Sequence, residues 1–214
     1  MFSDKRILIF SGGNLGNWAV DEIEQGDFLV GADRGALFLL QHGIQPDYAL
    51  GDFDSVTDKE FAEIKDKCKN LFSCNPVYKD YTDTEMAFNW ALAKRPKEIL
   101  LLGVTGTRFD HNIANIHLLS KGLKEKVPVR LIDEKNEITL IDSFIEISGN
   151  RFRYISILPF SYEVKGVTLE GFKYPLHKAS LTRGTSIGIS NELIEDRATI
   201  NIDSGQLLVI RSMD

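Results

Sequence analysis

The sequence predicts an α/β fold, with an N-terminal open and mainly parallel sheet with flanking helices, followed by a C-terminal antiparallel β-sandwich domain. Up to about residue 130, short apolar runs alternate with segments whose apolar residues recur at helical spacing, which is typical of a parallel sheet covered by helices. After residue 131 the runs are short, rich in β-branched residues and separated by Gly, Ser, Asp or Pro, which favours antiparallel strands. The predicted domains span residues 1–130 and 131–214.

The elements follow from these runs in chain order. The strands predicted in the first domain are RILIF, DFLVGAD, YALGD, EILLLGV and VPVRLI. Two helix starts are marked by capping boxes, in which a Thr and a Glu three residues later satisfy backbone N–H groups reciprocally: Thr57 with Glu60, and Thr82 with Glu85. The strands predicted in the second domain are FRYISILPF, YEVKGVTLEGF, TSIGISN, ATINID and GQLLVIRS.

Composition excludes several classes of protein. A formal charge of −6 and a pI near 5.3 argue against nucleic-acid binding, which depends on Lys and Arg. No run approaches the roughly 18 apolar residues of a membrane span, and the run at residues 7–10 is too short for a signal peptide. The two cysteines lack CxxC spacing, so a zinc site is not expected. A cytoplasmic protein with no nucleic-acid or membrane partner is predicted.

Polar residues that could carry chemistry lie at the predicted ends of strands. Ligands of open parallel sheets bind beyond the carboxyl ends of the strands, where loops and helix N-termini converge. Four clusters fall there: Asp33 and Arg34 in GADRGA, Asp52 and Asp54 in GDFDS, Lys79 to Asp83 in KDYTD, and Thr105 to Asn112 in TGTRFDHN. Four clusters at one sheet edge predict a single site.

The aspartate pair predicts a magnesium site. In an extended backbone, Asp52 and Asp54 point the same way, and two converging carboxylates repel unless a cation or a proton lies between them. Mg²⁺ typically uses one or two carboxylates plus phosphate oxygens. The cluster KDYTD, which contains Asp80 and Asp83, would supply a third carboxylate. The alternative is structural: Asp54 or Ser55 would cap the next helix and Asp52 would point into water, although Thr57 is a better cap. For Asp83 the alternative is a carboxylate in a first helical turn, where the helix dipole favours it.

The other clusters predict phosphate contacts. Lys79 offers a cation, and the glycines of TGTRFDHN would let backbone amides approach phosphate near a helix N-terminus. Arg108 can bind two oxygens at once. His111 is either a proton shuttle or an ordinary polar residue of the first helical turn. Neither the Walker spacing nor the dinucleotide fingerprint is present.

These motifs together resemble a known family. GADRGA, PDYALGDFDS, KDYTDTEMA and LLGVTGTRFDHNIANI resemble, in this order, the catalytic-domain motifs of the thiamin pyrophosphokinase (thiamine diphosphokinase) family, and LEGFKYPL and GTSIGISNEL resemble its thiamine-binding β domain. The resemblance implies Mg²⁺-dependent transfer of diphosphate from ATP to the hydroxyl of thiamine, with release of AMP. It also implies a homodimer in which the β domain of one subunit helps to form the active site of the other.

The resemblance assigns roles by motif position. It implies metal ligands at Asp52, Asp54 and Asp83, and a nucleotide and diphosphate site lined by Asp33, Asp80, Arg108, Asp110 and His111. The same strand ends add Arg34, Lys79, Thr105, Gly106 and Asn112 to the predicted nucleotide site. As a hypothesis, Asp80, Asp83 or Asp110 accepts the alcohol proton, and Arg108 offsets phosphate charge.

The thiamine contacts are predicted in the β domain. Tyr174 would place an aromatic face on the thiazolium cation, worth about 0.5–2 kcal/mol. Ser190 and Asn191 would hydrogen-bond the aminopyrimidine. The alternative for Tyr174 is a half-buried tyrosine on a β surface. Two other functions stay open for the chain: a Mg²⁺-dependent nucleotide phosphohydrolase, and a nucleotide-binding sensor without catalysis.

Overall fold

The structure is a computed structural model that describes residues 2–73, 81–149 and 151–214. The chain divides into two compact units, Met1–Glu134 and Lys135–Asp214. The boundary predicted from sequence texture lies at residues 130/131. No helix in the described part of the chain is long and apolar enough to cross a membrane.

The first unit contains a parallel sheet of six strands. Its strands are β1 (Arg6–Phe10), β2 (Phe28–Ala32), β3 (Tyr48–Gly51), β4 (Leu71–Ser73), β5 (Glu98–Leu102) and β6 (Val129–Ile132). They lie in the order β4-β3-β2-β1-β5-β6, and each neighbouring pair is parallel. The strand order reverses between β1 and β5. Such a reversal opens a crevice at the carboxyl ends of the two strands.

Helices cover both faces of this sheet. They are α1 (Asn17–Asp21), α2 (Arg34–Gln41), α3 (Asp58–Lys67), α4 (Asp83–Ala93) and α5 (Phe109–Glu125). Alternate residues of β1 point to opposite faces of the sheet. Leu8 and Phe10 pack with Leu39 of α2 in one apolar cluster. Ile7 and Ile9 are also fully buried but do not belong to that cluster. Helix α4 contacts β1, β2 and β3.

The two predicted helix starts differ in detail. The capping box at Thr57 is complete, with both reciprocal hydrogen bonds to Glu60 present. At α4 the Thr82 side chain accepts a hydrogen bond from the N–H of Glu85, but the Glu85 carboxylate pairs with Lys121 of α5 at 2.6 Å. Lys121 therefore ties α5 to the first turn of α4.

In the segment GADRGA, the first turn of α2 packs closely against strands β1 and β2. A Cβ atom at Gly35 would lie 1.7 Å from the carbonyl oxygen of Phe10, and one at Gly31 would lie 2.4 Å from Cα of Ala36. Only glycine permits helix α2 to begin directly against β1 and β2. This packing places Asp33, which joins β2 to α2, at the carboxyl end of the sheet.

The second unit is an antiparallel β-sandwich, as predicted. Its strands are β7 (Asn136–Ile141), β8 (Phe144–Ser148), β9 (Tyr154–Pro159), β10 (Glu163–Glu170), β11 (Leu176–Thr182), β12 (Arg197–Asn201) and β13 (Leu207–Ser212). β13 pairs with β7 and β9, and the other layer has the order β11-β10-β12-β8. Buried side chains from both layers form one core, including Ile157, Val167, Ile200 and Val209.

One predicted strand is wrong. The segment TSIGISN, residues 185–191, forms turns rather than a strand. Gly188 and Ser190 have positive φ values of +96° and +55°, which an extended strand does not allow. Ile187 and Ile189 are consequently exposed. Strands β4, β7, β8 and β11 were not predicted from the sequence.

Candidate active site

A cleft of about 620 Å³ lies in the first unit at the carboxyl ends of the parallel strands. The loops after β1, β2, β3 and β5 contribute to it, together with the first turns of α4 and α5. This is the crevice that the reversal of strand order creates. Predicted site residues that line it are Asp33, Asp54, Asp83, Thr105, Gly106, Arg108, His111 and Asn112.

Three carboxylates meet at one side of the cleft. Asp33, Asp52 and Asp54 each offer an oxygen, and these atoms lie within 4.8 Å of one another. Asp83, predicted as the third metal ligand, contacts the group differently: its Oδ1 accepts a hydrogen bond of 3.3 Å from the backbone N–H of Asp52. Asp33, predicted for the nucleotide, thus takes the third position of the cluster.

Asp33 carries an unsatisfied buried oxygen. Its Oδ2 accepts a hydrogen bond from the Ser55 hydroxyl, whereas its Oδ1 is buried and has no hydrogen-bond partner among the described residues. Burial raises the pKa of the Asp33 carboxyl above its ordinary value, and the charges of Asp83 and Asp54 raise it further, although the hydrogen bond from Ser55 and the backbone N–H of Arg34 act in the opposite direction. Buried carboxylate oxygens without partners are costly unless a cation or a proton satisfies them. The cluster therefore fits a hard divalent cation such as Mg²⁺, which prefers oxygen ligands.

Local backbone geometry holds this cluster. Asp33 has φ +51° and Phe53 has φ +56°, both in the region that side chains disfavour. Phe53, between the paired aspartates, is buried and packs against Phe61 of α3 at a centroid distance of 5.1 Å. The buried ring thus anchors the turn in which Asp52 and Asp54 are held.

The glycine-containing loops on the other side of the cleft pack against each other. A Cβ atom at Gly13 would lie 2.4 Å from the carbonyl oxygens of both Gly103 and Thr105, so the loop after β1 touches the loop after β5. The N–H of Gly106 is engaged by Oδ1 of Asn112 at 2.9 Å. In this state the Gly106 amide binds a side chain of α5.

Arg108 and Asp110 form an exposed ion pair beside the cleft. The guanidinium donates two hydrogen bonds to the carboxylate, at 3.2 and 2.6 Å, and the two side chains are 69% and 65% exposed. The Arg108 hydrogen bond, with one from the backbone of His111, lowers the pKa of Asp110 to about 2. Such a carboxylate is a weak proton acceptor.

The remaining predicted nucleotide residues lie at different distances from this cleft. His111 lines the cleft on an exposed part of α5. Arg34 is exposed at the first position of α2 and is not among the described residues that line the cleft. It lies near the cleft, because its Cβ is 3.5 Å from where a Cβ atom at Gly12, a lining residue, would lie. Lys79 and Asp80 lie outside the described residues.

The second unit has an apolar cavity of about 200 Å³ next to Tyr174. Tyr174 is 61% exposed, and Nζ of Lys173 lies 5.6 Å from its ring centroid. The buried Asn191 side chain brackets the backbone of Tyr174, since its Oδ1 accepts from the Tyr174 N–H at 3.0 Å and its Nδ2 donates to the Tyr174 carbonyl at 2.8 Å. Ser190 is exposed, and its N–H donates to the Ser156 hydroxyl.

The chain matches two models of one protein family, one in each compact unit. Residues 20–131 match the family model thiamin pyrophosphokinase, catalytic domain, and residues 143–207 match thiamin pyrophosphokinase, vitamin B1 binding domain. The chain belongs to the thiamin pyrophosphokinase family. The family and enzyme class implied by the sequence motifs are thereby confirmed.

Individual thiamin pyrophosphokinases are similar over nearly the whole chain. The thiamine pyrophosphokinase of Bacillus subtilis (strain 168) is 41% identical over 215 residues, which cover 98% of this chain and 100% of that protein. The crystal structure of the Bacillus subtilis enzyme has a TM-score of 0.91 with 38% identity, covering 98% and 99% of the two chains. For the Geobacillus thermodenitrificans enzyme the TM-score is 0.87 at 34% identity, with 98% of each chain covered.

Within the thiamin pyrophosphokinase fold, sequence reasoning missed several polar residues of the cleft. The buried Ser11 accepts a hydrogen bond of 3.0 Å from the Thr84 hydroxyl, which joins the end of β1 to the first turn of α4. Ser55 binds Asp33, and the buried Asn115 donates to the carbonyl of Val104 at 2.7 Å. The signal for Asn115 was present in the sequence, because it follows Asn112 by three residues and so shares its helix face.

Proposed function

We propose that this chain transfers the diphosphate group of ATP to the hydroxyl of thiamine, giving thiamine diphosphate and AMP. The observation that carries the proposal is the pairing, in one cleft, of an acidic cluster that contains an unsatisfied buried oxygen with an uncapped helix N-terminus next to Arg108. A site with cation-binding oxygens on one side and anion-binding groups on the other fits a magnesium nucleotide.

The acidic cluster would hold the metal. Asp33, Asp52 and Asp54 fit Mg²⁺, with Asp83 supporting the cluster through the backbone of Asp52. Mg²⁺ bound there would neutralise phosphate charge and make the β-phosphorus more electrophilic. The three carboxylates repel one another unless a cation or a proton lies between them, which supports a cation at this position.

The opposite side of the cleft would bind the phosphates. Among the described residues no side chain caps the start of helix α5 at Phe109, so the N–H groups of its first turn, apart from that of His111, favour an anion. The exposed Arg108 can exchange Asp110 for phosphate oxygens, because both side chains are free to reorient in solvent. Thr105, His111 and Asn112 line this part of the cleft, and Arg34 and Lys79 remain proposed phosphate contacts.

The reaction needs one bond formed and one broken. The thiamine hydroxyl oxygen attacks the β-phosphorus, the bond from that phosphorus to the α,β-bridging oxygen breaks, and AMP leaves with the bonding electron pair. An aspartate accepts the alcohol proton. The low pKa of Asp110 makes it a poor acceptor, which favours Asp83 or Asp80 for this role. Positioning and charge neutralisation would supply most of the rate enhancement.

Thiamine would be recognised by the second unit. Tyr174 exposes an aromatic face that can stabilise the thiazolium cation, and its side chain lines the apolar cavity of about 200 Å³. Asn191 lines the same cavity and holds the Tyr174 backbone through two hydrogen bonds, and Ser190 and Asn191 remain proposed contacts to the aminopyrimidine. We further propose a cytoplasmic homodimer in which the second unit of one subunit completes the site of the other.

One assay separates this function from its rivals. The protein is incubated with ATP and Mg²⁺, with or without thiamine, and the nucleotides and thiamine esters are separated by chromatography. AMP and thiamine diphosphate that form in equal amounts, and only with thiamine, support the proposal. Thiamine-independent release of ADP or AMP would indicate a phosphohydrolase, and absence of turnover would favour a nucleotide-binding sensor.

A further inference from the structure

The loop between β5 and α5 is hydrogen-bonded at four consecutive carbonyl oxygens. The pairs are Gly103 with the N–H of Gly13 at 2.7 Å, Val104 with Nδ2 of Asn115 at 2.7 Å, Thr105 with the N–H of Asn14 at 2.9 Å, and Gly106 with Nδ2 of Asn112 at 2.9 Å. Two of these donors are side-chain amides from the first two turns of α5. A phosphate in the cleft would otherwise meet free carbonyl oxygens, which repel anions.

The contact of Asn112 differs from the other three because it works in both directions. Its Nδ2 donates to the carbonyl of Gly106, and its Oδ1 accepts from the N–H of the same residue, both at 2.9 Å. The backbone N–H of Asn112 also donates to the carbonyl of Arg108 at 3.1 Å. Asn112 therefore fixes the Gly106 peptide relative to Arg108, the N-cap residue of α5.

The neighbouring amides have no such partner. Among the described residues, none accepts a hydrogen bond from the N–H of Thr107 or Arg108, and both residues line the cleft. If Gly106 were free to rotate, the direction of these N–H groups and the start of the Arg108 side chain would change with it. A displacement of about 1 Å in a catalytic constellation can cost on the order of 100-fold in rate.

We infer that Asn112 is a positioning residue that clamps the Gly106 peptide, so that Thr107 and Arg108 face the diphosphate part of ATP. The inference rests on the proposed function, and it replaces the direct nucleotide contact predicted for Asn112. The amide acts through Gly106 rather than on the substrate. The matching contact of Asn115 to Val104 holds the preceding part of the same loop.

Hydrogen exchange of the ligand-free protein tests the clamp itself. In the ¹⁵N-labelled wild type, the Gly106 amide is protected by Oδ1 of Asn112, and the Asn112→Ala variant should exchange it at least about tenfold faster. Gln45→Ala is the matched control. It removes another side-chain amide that donates to a backbone carbonyl, that of Lys67 at 2.6 Å, outside the residues that line the cleft.

Nucleotide binding and kinetics test the consequence. Asn112→Ala should weaken binding of Mg²⁺ and α,β-methylene-ATP, and should lower kcat/KM for ATP, by about 30-fold, with KM for thiamine little changed. Its loss of melting temperature should match that of Gln45→Ala, which keeps wild-type kinetics. If Asn112→Ala does not fold, Asn112→Ser removes the same two contacts with a polar residue.

The outcomes separate the inference from the proposed function. Retained protection of Gly106 in the variant would overturn the clamp, and so would lost protection with nucleotide affinity within about threefold of wild type. Lost affinity with retained protection would make Asn112 a direct ligand, which also overturns the inference. A wild-type protein that forms no thiamine diphosphate would contradict the proposed function. Hydrogen exchange of Gly106 and binding of the ATP analogue would still show whether Asn112 positions the loop.

Discussion

Oδ2 of Asp33 accepts a hydrogen bond from the Ser55 hydroxyl, and this contact joins the start of α2 to the loop after β3. It fixes one oxygen of a carboxylate whose other oxygen is buried without a partner among the described residues. The hydrogen bond from Ser55 thus holds the Asp33 carboxylate in a position that costs free energy in the absence of a cation or a proton.

Replacing Asp33 by Asn should stabilise the ligand-free protein and inactivate it. Asn keeps an acceptor for Ser55 and tolerates positive φ, while the charge next to Asp54 and Asp83 is lost. We expect a melting temperature higher by about 2–4 °C without metal, no AMP release, and no further stabilisation by Mg²⁺ with α,β-methylene-ATP, measured by scanning calorimetry. A lower melting temperature would contradict the argument.

The Asp54→Asn variant tests the cluster through its metal affinity. Asp54 is exposed, so the fold should be unaffected, whereas Mn²⁺ binding measured by electron paramagnetic resonance should weaken and turnover should be lost. Asp58→Asn is the matched control, since Asp58 is an exposed aspartate in the first turn of α3 outside the cluster. If Asp54→Asn kept more than about a tenth of normal AMP release, a loss of roughly 1.4 kcal/mol or less, the metal role would be wrong.

The Arg108–Asp110 pair makes a prediction about pH. Because the pKa of Asp110 is lowered to about 2, this carboxylate stays ionised throughout the range in which the enzyme can be assayed, and it is protonated only near that value. Asp110→Asn should therefore lower kcat through a less ordered Arg108, but leave the apparent pKa values of the rate profile unchanged. Loss of the acidic limb in the variant would instead identify Asp110 as the titrating base.

Replacing either of two cleft glycines by alanine should have different effects on the free energy of unfolding. A Cβ at Gly13 would lie 2.4 Å from two carbonyl oxygens, whereas one at Gly106 would meet nothing within 4 Å. Gly13→Ala should destabilise the protein by about 1–3 kcal/mol or more, and Gly106→Ala should leave it unchanged or stabilise it by up to about 1 kcal/mol. Urea denaturation measures both, and equal losses would contradict the packing argument.

Sequence periodicity was sufficient for five of the six strands of the parallel sheet, because these strands are short runs of mainly apolar residues. Strand β4 was missed since it has three residues, two of them exposed, and therefore no apolar signal. Strand β11 was missed for a related reason: only Leu181 is buried in the pattern of LHKASLT. In TSIGISN the reverse occurred, because β-branched residues suggested a strand where Gly188 forms a turn.

The carboxylates of the candidate site could be located from the sequence because they follow strands. Which of them lie close enough together to share a cation could not. Whether Asp33 or Asp83 joins Asp52 and Asp54 depends on the geometry after β2, where Gly31 and Gly35 let α2 begin at once. Asn191 lines the cavity next to Tyr174, and its side-chain amide binds the backbone of Tyr174, a partner that the sequence did not indicate. A sequence identifies polar side chains, whereas their partners depend on backbone groups that only the fold brings near.

The aromatic contact to thiamine can be tested in the second unit. Tyr174→Ala removes the exposed ring and should raise KM for thiamine by about 3- to 30-fold, equivalent to a cation–π contact of roughly 0.5–2 kcal/mol, with KM for ATP unchanged. Tyr174→Trp should lower KM for thiamine, because indole binds cations more strongly. Tyr162→Ala is the matched control, since Tyr162 is 75% exposed in the same unit and does not line the apolar cavity. If Tyr174→Ala and Tyr162→Ala had the same KM for thiamine, Tyr174 would be an ordinary surface tyrosine.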